Sequence, residues 1–89
     1  MDLSPQDLQM FERIGVSREW LTEAGIHRVS DKEAHDQGFG LRLSSAADLS
    51  GIMFPYIDPA TGHMVGARLR RDNPEQEQNG KPKNKYIFT

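Results

Sequence analysis

Eighty-nine residues, 36% hydrophobic and 27% charged, suffice for one small globular domain (1–89), and a chain of this length removes only about 60–65% of its unfolded surface from water. There is no cysteine, so neither a disulfide framework nor a thiolate zinc site can hold the chain together, and no stretch approaches the ~20 apolar residues of a membrane span. The net charge of −2 hides an asymmetry: residues 1–50 carry five Lys/Arg against nine Asp/Glu, whereas residues 51–89 carry six against four, so a polyanion would meet the second half.

The amino terminus, MDLSPQDLQM, has neither a basic start nor an apolar run, so no signal peptide is expected and a cytoplasmic location is. Ser4-Pro5-Gln6-Asp7 reads as a helix start: Ser4 caps, Pro5 occupies the first turn where its missing N–H costs nothing, and Asp7 completes a capping-box-like pattern. Leu8, Phe11 and Ile14 form the inner stripe and Gly15 ends the helix. Ser17 caps a second short helix that turns Trp20, Leu21 and Ala24 inward and stops at Gly25, with the single indole as the expected anchor of the core. Ser30-Asp31-Lys32-Glu33 is a further capping box, opening a short helix closed by Gly38. Helices this short are marginal alone and must dock on something. Phe39, Leu41 and Leu43 could form a short strand before a Ser/Ala/Asp loop.

The support for the helices is a sheet. Residues 51–57 and 63–70 read as two strands joined by Asp58-Pro59-Ala60-Thr61-Gly62, which is strong turn chemistry. Phe54 is read as a core side chain. Pro55 cannot donate to a ladder, so its nitrogen should face an open edge. Val65, Ala67 and Leu69 alternate with Met64, Gly66, Arg68 and Arg70, giving one apolar face and one that ends in guanidinium groups. Residues 72–84 are polar and rich in turn formers, a flexible loop, and residues 85–88 form a last strand. The fold class is therefore α+β: two or three short N-terminal helices within 1–40, packed on a small antiparallel sheet in 51–89.

His27, His35 and His63 are scattered, without the spacing of a zinc motif, and read as solvent-facing; no metal or cofactor is expected. Asp31, Glu33 and Asp36 lie at or near a helix start, where the helix dipole explains them. Ser44 and Ser45 lack the strand, elbow and helix context of a nucleophile. The cluster with chemical content is Arg68, Arg70, Arg71, Lys81, Lys83, Lys85 and Tyr86, which on one side of a sheet could track phosphates and stack a base. The competing reading is a solvated face whose arginines are neutralised by Asp72, Glu75 and Glu77.

The stretch GIMFPYIDPATGHMVGARLRRD, followed after a polar loop by KYIFT, resembles the N-terminal subdomain of bacterial replicative primases. It resembles still more, over nearly the whole chain, the N-terminal part of DUF3854-type primase-like proteins of plasmids, phages and integrated elements. The resemblance implies structural roles for Phe54 and Pro55, a turn at Gly62, Arg68 as the arginine that ends the hairpin motif, and Lys85-Tyr86 near template or nucleotide. The Toprim carboxylates and the cysteine zinc module of such proteins have no counterpart in these residues, so no enzyme is expected. Two functions follow: a nucleic-acid-binding accessory module for single-stranded nucleic acid, with Arg68, Arg70, Arg71, Lys83, Lys85 and Tyr86 as its contacts, or a small protein-interaction or inhibitory protein of a phage or mobile element acting through its acidic helical half on a protein partner.

Overall fold

The structure, a computed structural model, describes residues 1–40, 43 and 47–89. Three serines set the helix starts. Ser4 and Ser30 each form a complete capping box, with Asp7 and Glu33 respectively, and Ser17 accepts from the Trp20 N–H. The helices they open are α1 (Pro5–Arg13), α2 (Arg18–Glu23) and α3 (Asp31–Asp36). Between α2 and α3 lies a short strand, β1 (His27–Val29), which no alternating pattern in so brief a segment announces. The hairpin strands are β2 (Gly51–Ile57) and β3 (Met64–Arg71), and the last strand, numbered β6 because two further strands precede it, spans Tyr86–Phe88. These four form one antiparallel sheet in the order β1-β2-β3-β6, so the chain is an α+β domain.

The sheet is covered on both faces, unequally. Val29, Met53, Ala67 and Leu69 project toward Ala34 of α3 and toward Phe39, Ala47 and Leu49, forming one core. On the opposite face Ile52 packs with Phe11 of α1, Leu21 of α2 and Ile26, and half-buried Phe54 joins them, its ring edge-on to Phe11 at 6.3 Å between centroids. The helix pair thus covers only the β1–β2 side of this face. The other side, formed by β3 and β6, is the surface on which the site is built.

The structure departs from the sequence expectation at several positions. Trp20 is 56% exposed, not the core anchor, because Leu21 takes the inward position and adjacent residues on a helix lie about 100° apart, so both cannot face the sheet. Val65 is 71% exposed: the register shifts between Tyr56 and Ile57, Val65 is the extra residue of the resulting bulge, and this end of the hairpin projects beyond the helices. No strand forms at Phe39 or Leu43, although Phe39 is buried; Leu41, Ser44 and Ser45 lie outside the described residues. The 72–84 loop contains a small hairpin, β4 (Glu75–Gln76) with β5 (Pro82–Lys83). His63 is exposed, but His27 and His35 are half-buried and bonded, His27 Nδ1 to the Gly25 carbonyl at 2.8 Å and His35 Nε2 to the Asp31 carboxylate at 3.2 Å.

The turn is built as its residues suggest. The Asp58 carbonyl accepts from Thr61 and Gly62, its side chain accepts from Ala60, and Gly62 sits at φ +74, a conformation β-branched residues avoid. Pro55 lies opposite Ala67, whose N–H and carbonyl are turned to Thr89, so the ring nitrogen points away from β3, toward the side where β1 has ended. Both chain ends bond to the sheet: the Met1 carbonyl accepts from the Arg28 N–H of edge strand β1, and Thr89 prolongs β6 along β3, its N–H donating to the Ala67 carbonyl at 3.1 Å and its hydroxyl accepting from the Ala67 N–H at 2.9 Å.

Two strand glycines give opposite predictions. A Cβ on Gly51 would lie 2.1 Å from the Arg70 carbonyl oxygen, whereas one on Gly66 would meet nothing closer than 3.8 Å. Gly51→Ala should therefore destabilise by about 1–3 kcal/mol. Gly66→Ala should be neutral or stabilise by about 0.5–1 kcal/mol. Chemical denaturation of the two variants beside the parent checks both.

Candidate nucleic-acid interface

Strand alternation decides which basic residues share a surface. Across the ladder Arg70 faces Ile52 on one side and Tyr86 on the other, and Arg68 faces Phe54 and Phe88. These residues occupy the face that the helix pair covers only in part. The Arg68 guanidinium carbon lies 4.9 Å from the Phe54 ring centroid and 5.3 Å from that of Tyr86, so its plane is held among aromatic rings. Its Nε is buried without a hydrogen-bond partner among the described residues. Lys85, one residue before Tyr86, brings its Nζ to 6.0 Å from the Tyr86 centroid.

Arg71 does not belong to this surface. The same alternation that sends Ala67 and Leu69 to the core sends Arg71 with them, and it is 1% exposed. Its guanidinium donates to the Asp48 carbonyl (Nε 3.1 Å, Nη2 2.9 Å), to the Asn84 carbonyl (Nη1 3.3 Å) and to the Glu75 carboxylate, tying the small β4–β5 hairpin to the main sheet. The Glu75 carboxyl is held below its ordinary value by Arg71. Lys83 sits on that hairpin, opposite Glu75 in its ladder, and not on the sheet face; Lys81 lies at its turn.

The expected neutralisation of the arginines by Asp72, Glu75 and Glu77 holds for Arg71, which Glu75 pairs, and not for Arg68 or Arg70; Glu77 forms no ion pair among the described residues. Asp72 pairs with Arg28, which also donates to Asp7 through Nε at 2.9 Å and Nη2 at 2.7 Å, while Glu75 is engaged by buried Arg71. Arg68, Arg70 and Lys85 have no ion-pair partner among the described residues. The two carboxylates nearest in sequence to the arginine run are therefore committed internally, and the surface charge on β3 stays open.

Sequence reasoning missed two aromatic members of this face. Phe88, 61% exposed, and Tyr56, 46% exposed, follow Tyr86 and Phe54 by two residues, and that period-two spacing was the available signal. Among the described residues no three His, Asp or Glu side chains gather closely enough to hold a metal, and no helix is long and apolar enough to cross a membrane. Compared with protein-family models, curated proteins and solved structures, the chain gives no match.

The Arg28 ion triad has a pH signature. Its guanidinium holds the nearly buried Asp7 carboxyl at about 2, against an ordinary value of 3.8. A folded-state value below the unfolded one contributes stability that is complete above the ordinary carboxylate range and is lost as pH falls through 4 toward about 2. Denaturant titrations should show the parent losing about 2 kcal/mol more than Asp7→Asn over that window.

Proposed function

We propose that the chain is a non-catalytic nucleic-acid-binding module, an accessory part of a primase-like replication protein of a mobile element, working in the cytoplasm. The observation that carries the binding is the pair Arg68 and Arg70, half-buried on a sheet face that the helix pair covers only in part, without carboxylate partners among the described residues and with Arg68 packed against the Phe54 and Tyr86 rings. Guanidinium groups in that state attract phosphates through charge and release counterions, whereas internally paired ones do not. Contact with backbone charge and ring faces reads no base identity, so binding has little sequence preference. The replication context rests on the hairpin and Lys-Tyr resemblance.

A second reading, a protein-interaction protein, is favoured by a different observation. Ile14 and Trp20 are both exposed and half-buried Val16 lies between them in the chain, an apolar corner on the acidic helical half. Scattered exposed apolar residues are ordinary, and the grouping with an exposed indole is what gives this reading its content.

Titration of labelled single-stranded oligonucleotide by anisotropy, at several salt concentrations, tests the first reading. Replacing Arg68 and Arg70 together with alanine should weaken binding evenly across sequences and flatten the salt slope by about one to two units. No binding at high micromolar protein and low salt, or binding indifferent to that replacement, would overturn it. A salt-tolerant stoichiometric protein complex lost on Trp20→Ser would put the second reading in its place.

A further inference from the structure

The geometry points to a two-nucleotide stacking platform made by Tyr86 and Phe88, selective for an unpaired strand, with Arg68 receiving the phosphate between the two bases. This inference rests on the nucleic-acid reading and adds the ligand's class and the residues that select it. Tyr86 and Phe88 are 45% and 61% exposed, side by side on one strand and on one face, with the core residue Ile87 between them pointing to the other face. Large rings of this kind seldom stand open on a sheet without an apolar or π-faced partner.

Spacing decides what that partner is. Residues two apart on a strand are separated by about 6.7 Å, twice the roughly 3.4 Å step per nucleotide of a stacked strand. Bases seated on both rings are pulled apart from each other, and only an unpaired strand can do that. The open strip is also narrow. With Phe11 of α1 packed on Phe54, β3 and β6 are left uncovered by the described residues in the middle of this face, about 10 Å of sheet. That width suits a single strand; a duplex is read instead by an element inserted into one of its grooves, and a flat strip walled by helices offers none.

Charge selects the same occupant. Arg68 lies directly opposite Phe88 in the ladder and packs on the Tyr86 ring, so a phosphate joining bases on those two rings comes to a guanidinium that has no ion-pair partner among the described residues. Arg70, opposite Tyr86, and Lys85 extend the positive edge to one side. An apolar peptide would leave these charges without partners, and an acidic one would leave the rings unused.

The test compares a labelled thymidylate dodecamer, a strand of the same length with abasic sites in place of its bases, and a duplex. The parent should bind the dodecamer more tightly than the other two. Tyr86→Ala and Phe88→Ala should each weaken dodecamer binding about 5- to 150-fold while leaving abasic-strand affinity and the salt slope unchanged. Tyr86→Leu and Phe88→Leu, which keep apolar cover on the sheet, should show the same loss, and Trp20→Ser should show none. Equal binding of duplex and dodecamer, or aromatic replacements that affect the dodecamer and abasic strands equally, would overturn the platform and leave the charge-based reading standing. Failure of the parent to bind any strand would overturn both.

Discussion

Arg28 joins three parts of the chain that are remote in sequence. Its guanidinium is shared between Asp7, the capping-box carboxylate of α1, and Asp72, the residue that follows β3. Asp7 therefore does two things at once: it satisfies the Ser4 N–H at the helix start and it fixes that helix against β1. Docking α1 here is what brings Phe11 over Phe54 and covers one side of the sheet face. Taking up Asp72 is what leaves Arg68 and Arg70 of β3 without a counter-charge among the described residues. Both the wall of the surface and its electrostatics depend on a single cation.

Arg71 repeats this logic on the other face. A fully enclosed guanidinium is costly unless its donors are satisfied, and here two carbonyls and one carboxylate do so. Removing the Glu75 carboxylate would leave a buried positive charge short of a partner, so the β4–β5 hairpin is better described as part of the support of β3 than as an appendage. Asp48, whose carbonyl accepts from Arg71, is itself fixed by its side chain, which the Ser50 N–H and hydroxyl and the Asn73 amide hold below the ordinary carboxylate value. A chain with so small an apolar core thus positions its second half through a short network of charged hydrogen bonds.

The legible parts of the fold were those carried by local chemistry. Ser4 and Ser30, each with a carboxylate three residues on, and Ser17 as a capping serine mark the helix starts, and Asp58 to Gly62 marks the turn, because caps and turns satisfy backbone groups within a few residues. What could not be seen depends on distant partners. A strand of three residues at His27 has no period to display, the choice between Trp20 and Leu21 is made by the sheet and not by the helix, and the β4–β5 hairpin relies on an arginine that lies before it in the chain. Of the site, Arg68, Arg70 and Tyr86 were visible as residues of one face. Arg71, adjacent to them in sequence, belongs by the same alternation to the core, and Lys83, near them in sequence, lies on a separate hairpin.

The hydrogen bonds of Met1 to β1 and of Thr89 to β3 have a practical side. Whatever is attached to the two chain ends departs in different directions: a probe after Thr89 starts beside Phe88, and one ahead of Met1 starts beside β1 and the helix pair. A dye at the first location senses events on the aromatic strip, while the same dye at the second senses the helices. A purification tag at the carboxyl end would crowd the aromatic strip, and the amino end is the place from which the protein should be immobilised.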